Sequence, residues 1–140
     1  MMVLDCNAAF HIALNTVEGN ALQMLFMKGE TTAAPTLFHA ELAHVLEKMA
    51  VREHYSRKEA IEIGENAYNL VDEFYEDQLL WPEALSESMR LQHSSYDMFY
   101  FVLARRLGAT LVTLDKKLQA LCDREGVDCI HSIKLPSEEE

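Results

Sequence analysis

The sequence predicts an α/β fold in which helices cover both faces of a central parallel β-sheet, a three-layer α/β/α sandwich. Short apolar runs typical of buried strands alternate with longer segments whose apolar residues recur at helical spacing. This alternation favours parallel strands joined by right-handed helical crossovers. Because the chain has 140 residues, we expect one domain over residues 1–135 and an acidic tail over residues 136–140.

The first 30 residues predict a strand and two helices. Residues 1–5 form a short apolar run that ends in a carboxylate, and residues 6–14 continue with helix-compatible side chains. Apolar residues recur at helical spacing over residues 17–28, and Gly29 follows where a helix would end. We therefore expect the order strand, helix, helix.

The middle of the chain predicts one weak strand and two strong helices. Small residues before Pro35 indicate a strand, and the segment 37–53 follows as a helix. Ser56 and Glu59 form the S-x-x-E pattern of a capping box, which starts the next helix. Its apolar face is predicted to run on to Phe74.

The last part of the chain predicts alternating strands and helices again. Residues 96–107 are apolar nearly all round, which indicates a buried helix. The elements around it are a third strand over residues 78–81, a helix over 83–92, a strand over 109–114, a helix over 116–125 and a last strand over 127–130.

The charge is strongly negative, with 12 basic and 23 acidic side chains and a formal net charge of −11. Such a molecule repels polyanions at long range, which excludes a protein that coats nucleic acid non-specifically. Basic residues outnumber acidic ones only within residues 88–124, where a local RNA contact remains conceivable. The candidate phosphate contacts are Arg105, Arg106, Lys116 and Lys117, with ordinary solvated surface charge as the alternative.

The cysteine pattern and the hydropathy both indicate a cytoplasmic protein. Cys6, Cys122 and Cys129 are odd in number and lack CxxC spacing, so neither a disulfide framework nor a zinc knuckle is expected. No apolar run approaches the roughly 18 residues needed to span a bilayer, and the first residues lack a basic signal region. We expect no association with membranes.

Two carboxylates follow predicted strands, where ligands bind in parallel sheets. Asp5 ends the first strand and Asp115 follows the strand over 109–114. Ligands in such folds bind beyond the carboxyl ends of the strands, at the point where the strand order reverses. The alternative is that each aspartate only caps the helix that follows it, because aspartate is a favoured N-cap residue.

Two further carboxylates lie on faces that should be buried. Asp97 shares its helix face with Tyr100 and Phe101, although a capping box with Ser94 would also place an acid there. Glu41 lies in the middle of a helix, on the core-facing stripe, where glutamate is almost never left unpaired.

If these four acids meet at one edge of the sheet, their mutual repulsion requires a divalent cation. A site made of carboxylate oxygens suits Mg²⁺ or Mn²⁺, which retain several waters and bridge to phosphate groups. Such a cation lowers the pKa of water and neutralises charge that develops on phosphorus, so metal-assisted phosphodiester hydrolysis is the favoured chemistry.

Three segments carry a resemblance to a known family: LDCNAAF, PTLFHAELAHVL and SSYDMFYFVLARRLGATLVTLDKKL. Together with the strand and helix order, they resemble the PIN-domain family, in particular the VapC-type toxins of toxin–antitoxin pairs. The resemblance spans residues 2–131 and implies a Mg²⁺- or Mn²⁺-dependent endoribonuclease. It also implies a homodimer and a cognate antitoxin that blocks the site.

The resemblance assigns residues to the site by their position in the family pattern. Asp5, Glu41, Asp97 and Asp115 match the family's four acids and are the candidate catalytic and metal-binding residues. Asn7 and Thr113 match its supporting polar positions.

Two other functional classes share features with this sequence. A catalytically silent protein with the same fold, used only for binding, is the more serious one, because four acids in place do not prove turnover. A receiver-like phosphoacceptor domain would need an acidic pair after the first strand, but Cys6 and Asn7 follow Asp5.

Overall fold

Four parallel strands form one sheet in the computed structural model, which describes residues 1–25 and 29–130. The strands are β1 (Met2–Leu4), β2 (Thr32–Pro35), β3 (Glu73–Tyr75) and β4 (Thr110–Val112), in the order β3-β2-β1-β4. The α-helices of the described residues are α1 (Cys6–Ala13), α2 (Val17–Leu25), α3 (Leu37–Glu53), α4 (Arg57–Tyr68), α5 (Trp81–Leu91), α6 (Ser95–Leu107) and α7 (Lys116–Glu125). The end of the second predicted helix and the predicted tail lie outside the described residues.

The strand order fixes where a ligand site can form. The chain moves from β1 to β2 and β3 in one direction, then returns to place β4 on the other side of β1. Because parallel crossovers are right-handed, the reversal sends helices to opposite faces of the sheet, and α6 packs against β1, β2 and β4. The predicted α/β/α fold class is confirmed, and the reversal opens a crevice at the carboxyl ends of β1 and β4.

The core lies between α6 and the neighbouring strands β1 and β4. Val3, Leu4, Leu111 and Val112 are fully buried, and six of the thirteen side chains of α6 are buried as well. This explains why α6 is apolar nearly all round, since one side meets the sheet and the other meets α5. In the part of the chain that the structure describes, no helix combines the length and the apolar character that a membrane crossing requires.

The prediction of the third strand was wrong. Residues 78–81 do not lie in the sheet: Asp77–Leu79 is a 3₁₀ turn and Trp81 begins α5. The segment is held at the start of α3 instead, because the Leu37 N–H donates to Asp77 Oδ1 at 3.0 Å. Pro82 sits in the first turn of α5, where its missing N–H costs nothing.

The true third strand was predicted as the end of a helix. α4 ends at Tyr68, and Phe74 belongs to β3 at the edge of the sheet. Val71 is buried and Phe74 is half-buried, so both still face the core. The apolar residues therefore keep a helical spacing by coincidence, although the helix has already ended. The predicted last strand is only an isolated bridge between Leu111 and Cys129 within the described residues.

Candidate active site

Asp5 and Asp115 begin the helices that follow β1 and β4. Asp5 Oδ1 accepts the N–H of Ala8 at 2.8 Å, and Asp115 Oδ1 accepts the N–H of Lys117 at 2.9 Å. Both residues are therefore N-caps, as the simpler interpretation predicted. The caps also fix the two carboxylates at the carboxyl edge of the sheet, beside the reversal in strand order.

Thr113 ties these two strand ends together. Its side chain is buried, hydrogen bonds to the Asp5 carboxylate, and accepts the backbone N–H of Asp115 at 3.1 Å. Burial raises the pKa of Asp5 to about 7, although the hydrogen bonds from Thr113 and Ala8 oppose the rise. The charges of other carboxylates nearby raise it further.

Glu41 reaches the same cluster from α3. Its Oε1 accepts the phenolic O–H of Tyr100, a buried residue of α6, at 2.8 Å. Burial raises the pKa of Glu41, the Tyr100 hydrogen bond lowers it, and the charge of Asp97 raises it again. The partner of this inward-facing carboxylate is thus a phenol rather than a base.

Asp97 lies in the first turn of α6 and pairs with a histidine. His93 Nε2–H donates to Asp97 Oδ2 at 2.8 Å. Ser94 makes no side-chain capping hydrogen bond, so the capping-box interpretation of Asp97 was wrong. Burial raises the pKa of Asp97, the hydrogen bond and charge of His93 lower it, and the charge of Asp115 raises it.

The structure therefore brings all four predicted carboxylates to one place and adds a histidine. Donor atoms of His93, Asp97 and Asp115 all lie within 4.8 Å of one another. His93, which precedes α6, was not predicted from the sequence as a site residue. The one signal in the sequence was that His93 lies four residues before Asp97. Because His93 lies outside the helix, helical periodicity does not show that the two side chains meet.

A cleft of about 480 Å³ opens beside Glu41. The exposed Asn7 of α1 lies at this cleft, so both supporting residues are close to the acids. The other lining residues come mainly from α3, with one from α1 and one from α6: Cys6, Leu37, Ala40, His44, Val45 and Tyr96. The wall of the cleft is mostly apolar. The polar groups at the edge of the cleft therefore determine how a bound substrate is oriented.

Two of the four proposed phosphate contacts are not at the site. Arg105 and Arg106 lie at the far end of α6, roughly 13 Å along the helix from Asp97. Both pair with Glu83, at 2.6 and 2.7 Å. Lys116 and Lys117, by contrast, are exposed directly after Asp115.

The carboxylate cluster has no strong cationic partner among the described residues. No lysine or arginine of residues 1–25 and 29–130 forms an ion pair with Asp5, Glu41, Asp97 or Asp115. Buried or half-buried carboxylates that repel one another favour either protonation or a bound cation.

Comparisons with known proteins agree with this geometry. A family model described as PIN domain matches residues 2–124. Ribonuclease VapC12 of Mycobacterium tuberculosis, from strains CDC 1551 and H37Rv alike, is 30% identical over 122 residues, which cover 84% of this chain and 89% of the relative. The crystal structure of PAE2754 from Pyrobaculum aerophilum superposes with a TM-score of 0.67 and 23% identity, over 85% of this chain and 77% of that one. The last likeness bears on the fold alone.

Proposed function

This chain belongs to the PIN-domain family, and on that premise we propose that it is an endoribonuclease that hydrolyses RNA with the help of Mg²⁺ or Mn²⁺. The observation that carries the proposal is the meeting of four carboxylates, without a lysine or arginine partner among the described residues, at the carboxyl edge of the sheet. The similarity to Ribonuclease VapC12 supports the choice of RNA as substrate.

The residues present suit a divalent cation. Donor atoms from three side chains lie within 4.8 Å of one another, and the nearby Asp5 is buried with a raised pKa. Asp5, Asp97 and Asp115 would hold the cation, with Glu41 as a further ligand or as the residue that holds a water. When bound, the cation would lower the pKa of the attacking water and neutralise charge that develops on the phosphate.

The chain's own side chains would orient the reaction. The pKa of Glu41 is raised by burial, which suits this carboxylate to accept a proton from water. Tyr100 keeps the Glu41 carboxylate in place through its 2.8 Å hydrogen bond. Asn7 offers an amide donor to the substrate at the cleft, and Lys116 and Lys117 offer positive charge to RNA phosphates.

The charge distribution limits the kind of RNA. With a net charge of −11, long-range attraction to a polyanion is absent, so affinity has to come from contacts near the active site. This favours a short, structured RNA whose exposed bases are read close to the bond that is cut.

The proposal extends to a biological setting. We place the protein in the cytoplasm as the toxin of a type II toxin–antitoxin pair, active as a homodimer and blocked by a cognate antitoxin. The similarity to a VapC protein over 84% of the chain supports this setting.

Cleavage of a pool of small structured RNAs tests the proposal. The wild type, Asp5→Asn and Asp97→Asn are compared at matched Mg²⁺ and Mn²⁺. Asp72→Asn serves as the control, because Asp72 precedes β3 at the opposite edge of the sheet and asparagine keeps an acceptor for the Thr32 N–H. Metal-dependent cleavage lost only in the site variants is expected. No cleavage by the wild type would favour the catalytically silent binding protein.

A further inference from the structure

We propose that His93 is a nitrogen ligand of the catalytic cation, beside Asp97 and Asp115, and that it makes the site prefer Mn²⁺ to Mg²⁺. The inference rests on the proposed function for the presence of a cation, but it concerns a residue outside the four-acid pattern. Its basis is the position of the imidazole, which is 15% exposed and faces the acids rather than solvent.

The distance between His93 and Asp97 already matches a shared ion. Nε2 of His93 and Oδ2 of Asp97 are 2.8 Å apart. Two neighbouring ligands of an octahedral ion, each bonded at about 2.1 Å, lie roughly 3 Å from each other. A divalent cation can therefore take the place of the hydrogen-bonding proton once the imidazole ring turns to aim its Nε2 lone pair at the ion. The bound imidazole is neutral and carries its one proton on Nδ1, and any second proton leaves to solvent.

The third donor is also within reach. A carboxylate oxygen of Asp115 lies within 4.8 Å of the chosen atoms of His93 and Asp97. Asp115 Oδ1 accepts N–H groups at the start of α7, which restrains this exposed carboxylate. Three donors thus come from three separately anchored positions.

His93 is held in place by its backbone. Gln92 adopts a left-handed conformation with φ of 51° at the end of α5, which turns the chain toward α6. The His93 N–H donates to Ser88 O at 3.2 Å, and the Ser88 hydroxyl donates to His93 O at 2.6 Å. A left-handed residue of this kind is a common way for a helix to end, and here it fixes where His93 follows α5.

A nitrogen ligand changes which metal the site prefers. Mg²⁺ strongly favours oxygen donors and gives up its waters reluctantly, whereas imidazole suits transition-metal ions. Mn²⁺ accepts both carboxylate and imidazole. The donor set of one imidazole and several carboxylates therefore favours Mn²⁺, in contrast to the all-oxygen site expected from the four acids alone.

Pulsed electron paramagnetic resonance of the Mn²⁺-loaded protein tests the ligand directly. A directly coordinated imidazole gives a ¹⁴N modulation of the Mn²⁺ signal. We compare the wild type with His93→Ala and His93→Gln, and use His44→Gln as the matched control. His44 lines the same cleft, but its side chain is 65% exposed. Calorimetric titration gives Mn²⁺ and Mg²⁺ affinities for the same proteins.

The expected result is a ¹⁴N signal in the wild type and in His44→Gln that both His93 variants lose. Their Mn²⁺ affinity should fall by a factor on the order of ten to one hundred, as when a metal site loses a supporting group, while Mg²⁺ affinity changes little. If His93→Gln binds Mn²⁺ as tightly as the wild type, His93 only positions Asp97 through the hydrogen bond between them. This result would overturn the proposal.

Two other results separate this inference from the nuclease itself. Mn²⁺ bound to the wild type without ¹⁴N modulation, or no Mn²⁺ binding at all, would overturn the nitrogen ligand. If the protein gives a ¹⁴N signal but cleaves no RNA of the pool, His93 is a metal ligand as proposed and the proposed nuclease activity is rejected.

Discussion

Tyr100 donates its phenolic O–H to Glu41 Oε1 at 2.8 Å, although the two residues are 59 positions apart in the chain. The hydrogen bond joins α6 to α3 across the candidate active site. It stabilises the charged form of Glu41, whose pKa burial otherwise raises. The bond therefore controls both the orientation and the proton affinity of this carboxylate.

We expect Tyr100→Phe to reduce RNA cleavage about tenfold, since Glu41 loses the donor that orients its carboxylate. Phenylalanine keeps the packing of the ring, so the free energy of unfolding should fall by only about 1 kcal/mol. Cleavage rates and urea unfolding measure the two effects.

Tyr96→Phe is the matched control, because Tyr96 lines the same cleft but is 59% exposed. Equal losses of cleavage in both variants would argue against a specific role for the Tyr100 hydroxyl.

The raised pKa of Asp5 predicts how the metal-free protein responds to pH. The folded protein holds a proton on Asp5 up to a pH of about 7, whereas in the unfolded chain the pKa is near 3.8. The folded state therefore binds more protons between these values, so the stability that Asp5 contributes is fully present below about pH 4 and is lost as the pH rises through 7. The shift corresponds to an upper bound on the order of 4 kcal/mol.

Thermal unfolding in the presence of a chelator checks this pH dependence. Asp5→Asn cannot ionise at this position, so we expect a melting temperature at pH 8 roughly 5 °C above that of the wild type. The difference should shrink at pH 5. A wild type that becomes more stable from pH 5 to 8 without metal would contradict the protonated state of Asp5.

Divalent metal should stabilise the protein at neutral pH, because a cation that binds only the folded state shifts the unfolding equilibrium. At one hundred times its dissociation constant, such a ligand adds about 2.7 kcal/mol. We expect millimolar Mn²⁺ to raise the melting temperature by roughly 8 °C. The shift should disappear in Asp97→Asn and persist in Asp72→Asn. No shift of the wild type at millimolar Mn²⁺ would count against a preformed site.

Sequence alone predicted the parts of the fold that are buried on several sides. β1, β4 and α6 gave clear signals because continuous apolar runs are needed where an element meets the core all round. β3 was missed because none of its side chains is fully buried, and Glu73 is exposed. β4 also lies at an edge of the sheet, but its Leu111 and Val112 are buried. The remaining apolar residues of β3 fitted the helical spacing of the preceding segment equally well.

The candidate site was predictable to the extent that it follows from topology. Asp5 and Asp115 come after strands, so parallel pairing alone brings them to one edge. His93 was not predictable, because its position depends on the left-handed turn at Gln92 and on the hydrogen bonds with Ser88. Asp5 and Asp115 cap helices, and the same carboxylates are also placed where they could bind a metal. Helix capping and metal binding are therefore compatible, although the sequence presented them as alternatives.

Glu87 anchors an ion-pair network that lies away from the acids of the site. It is 7% exposed and accepts hydrogen bonds from Arg90, at 2.9 and 2.7 Å, and from Arg105, at 2.7 Å. The pKa of Glu87 is lowered to about 2, first by the hydrogen bond from Arg90 and then by the hydrogen bond from Arg105 and the charges of both arginines. Burial acts in the opposite direction and raises the pKa. This network, rather than RNA, explains why arginines cluster near the end of α6.

We expect Glu87→Gln to lower the free energy of unfolding by about 2 kcal/mol at pH 7, because two arginines lose a charged acceptor. Since the pKa of Glu87 is lowered, this contribution is present above about pH 4.5 and is lost as the pH falls through 2. Urea unfolding against pH measures it, with Glu53→Gln as the control because the Arg52–Glu53 pair is exposed. At urea concentrations below the midpoint of unfolding, the RNA cleavage and the Mn²⁺ affinity of Glu87→Gln should match those of the wild type. A loss of cleavage in Glu87→Gln without a loss of stability would instead connect this arginine cluster to the substrate.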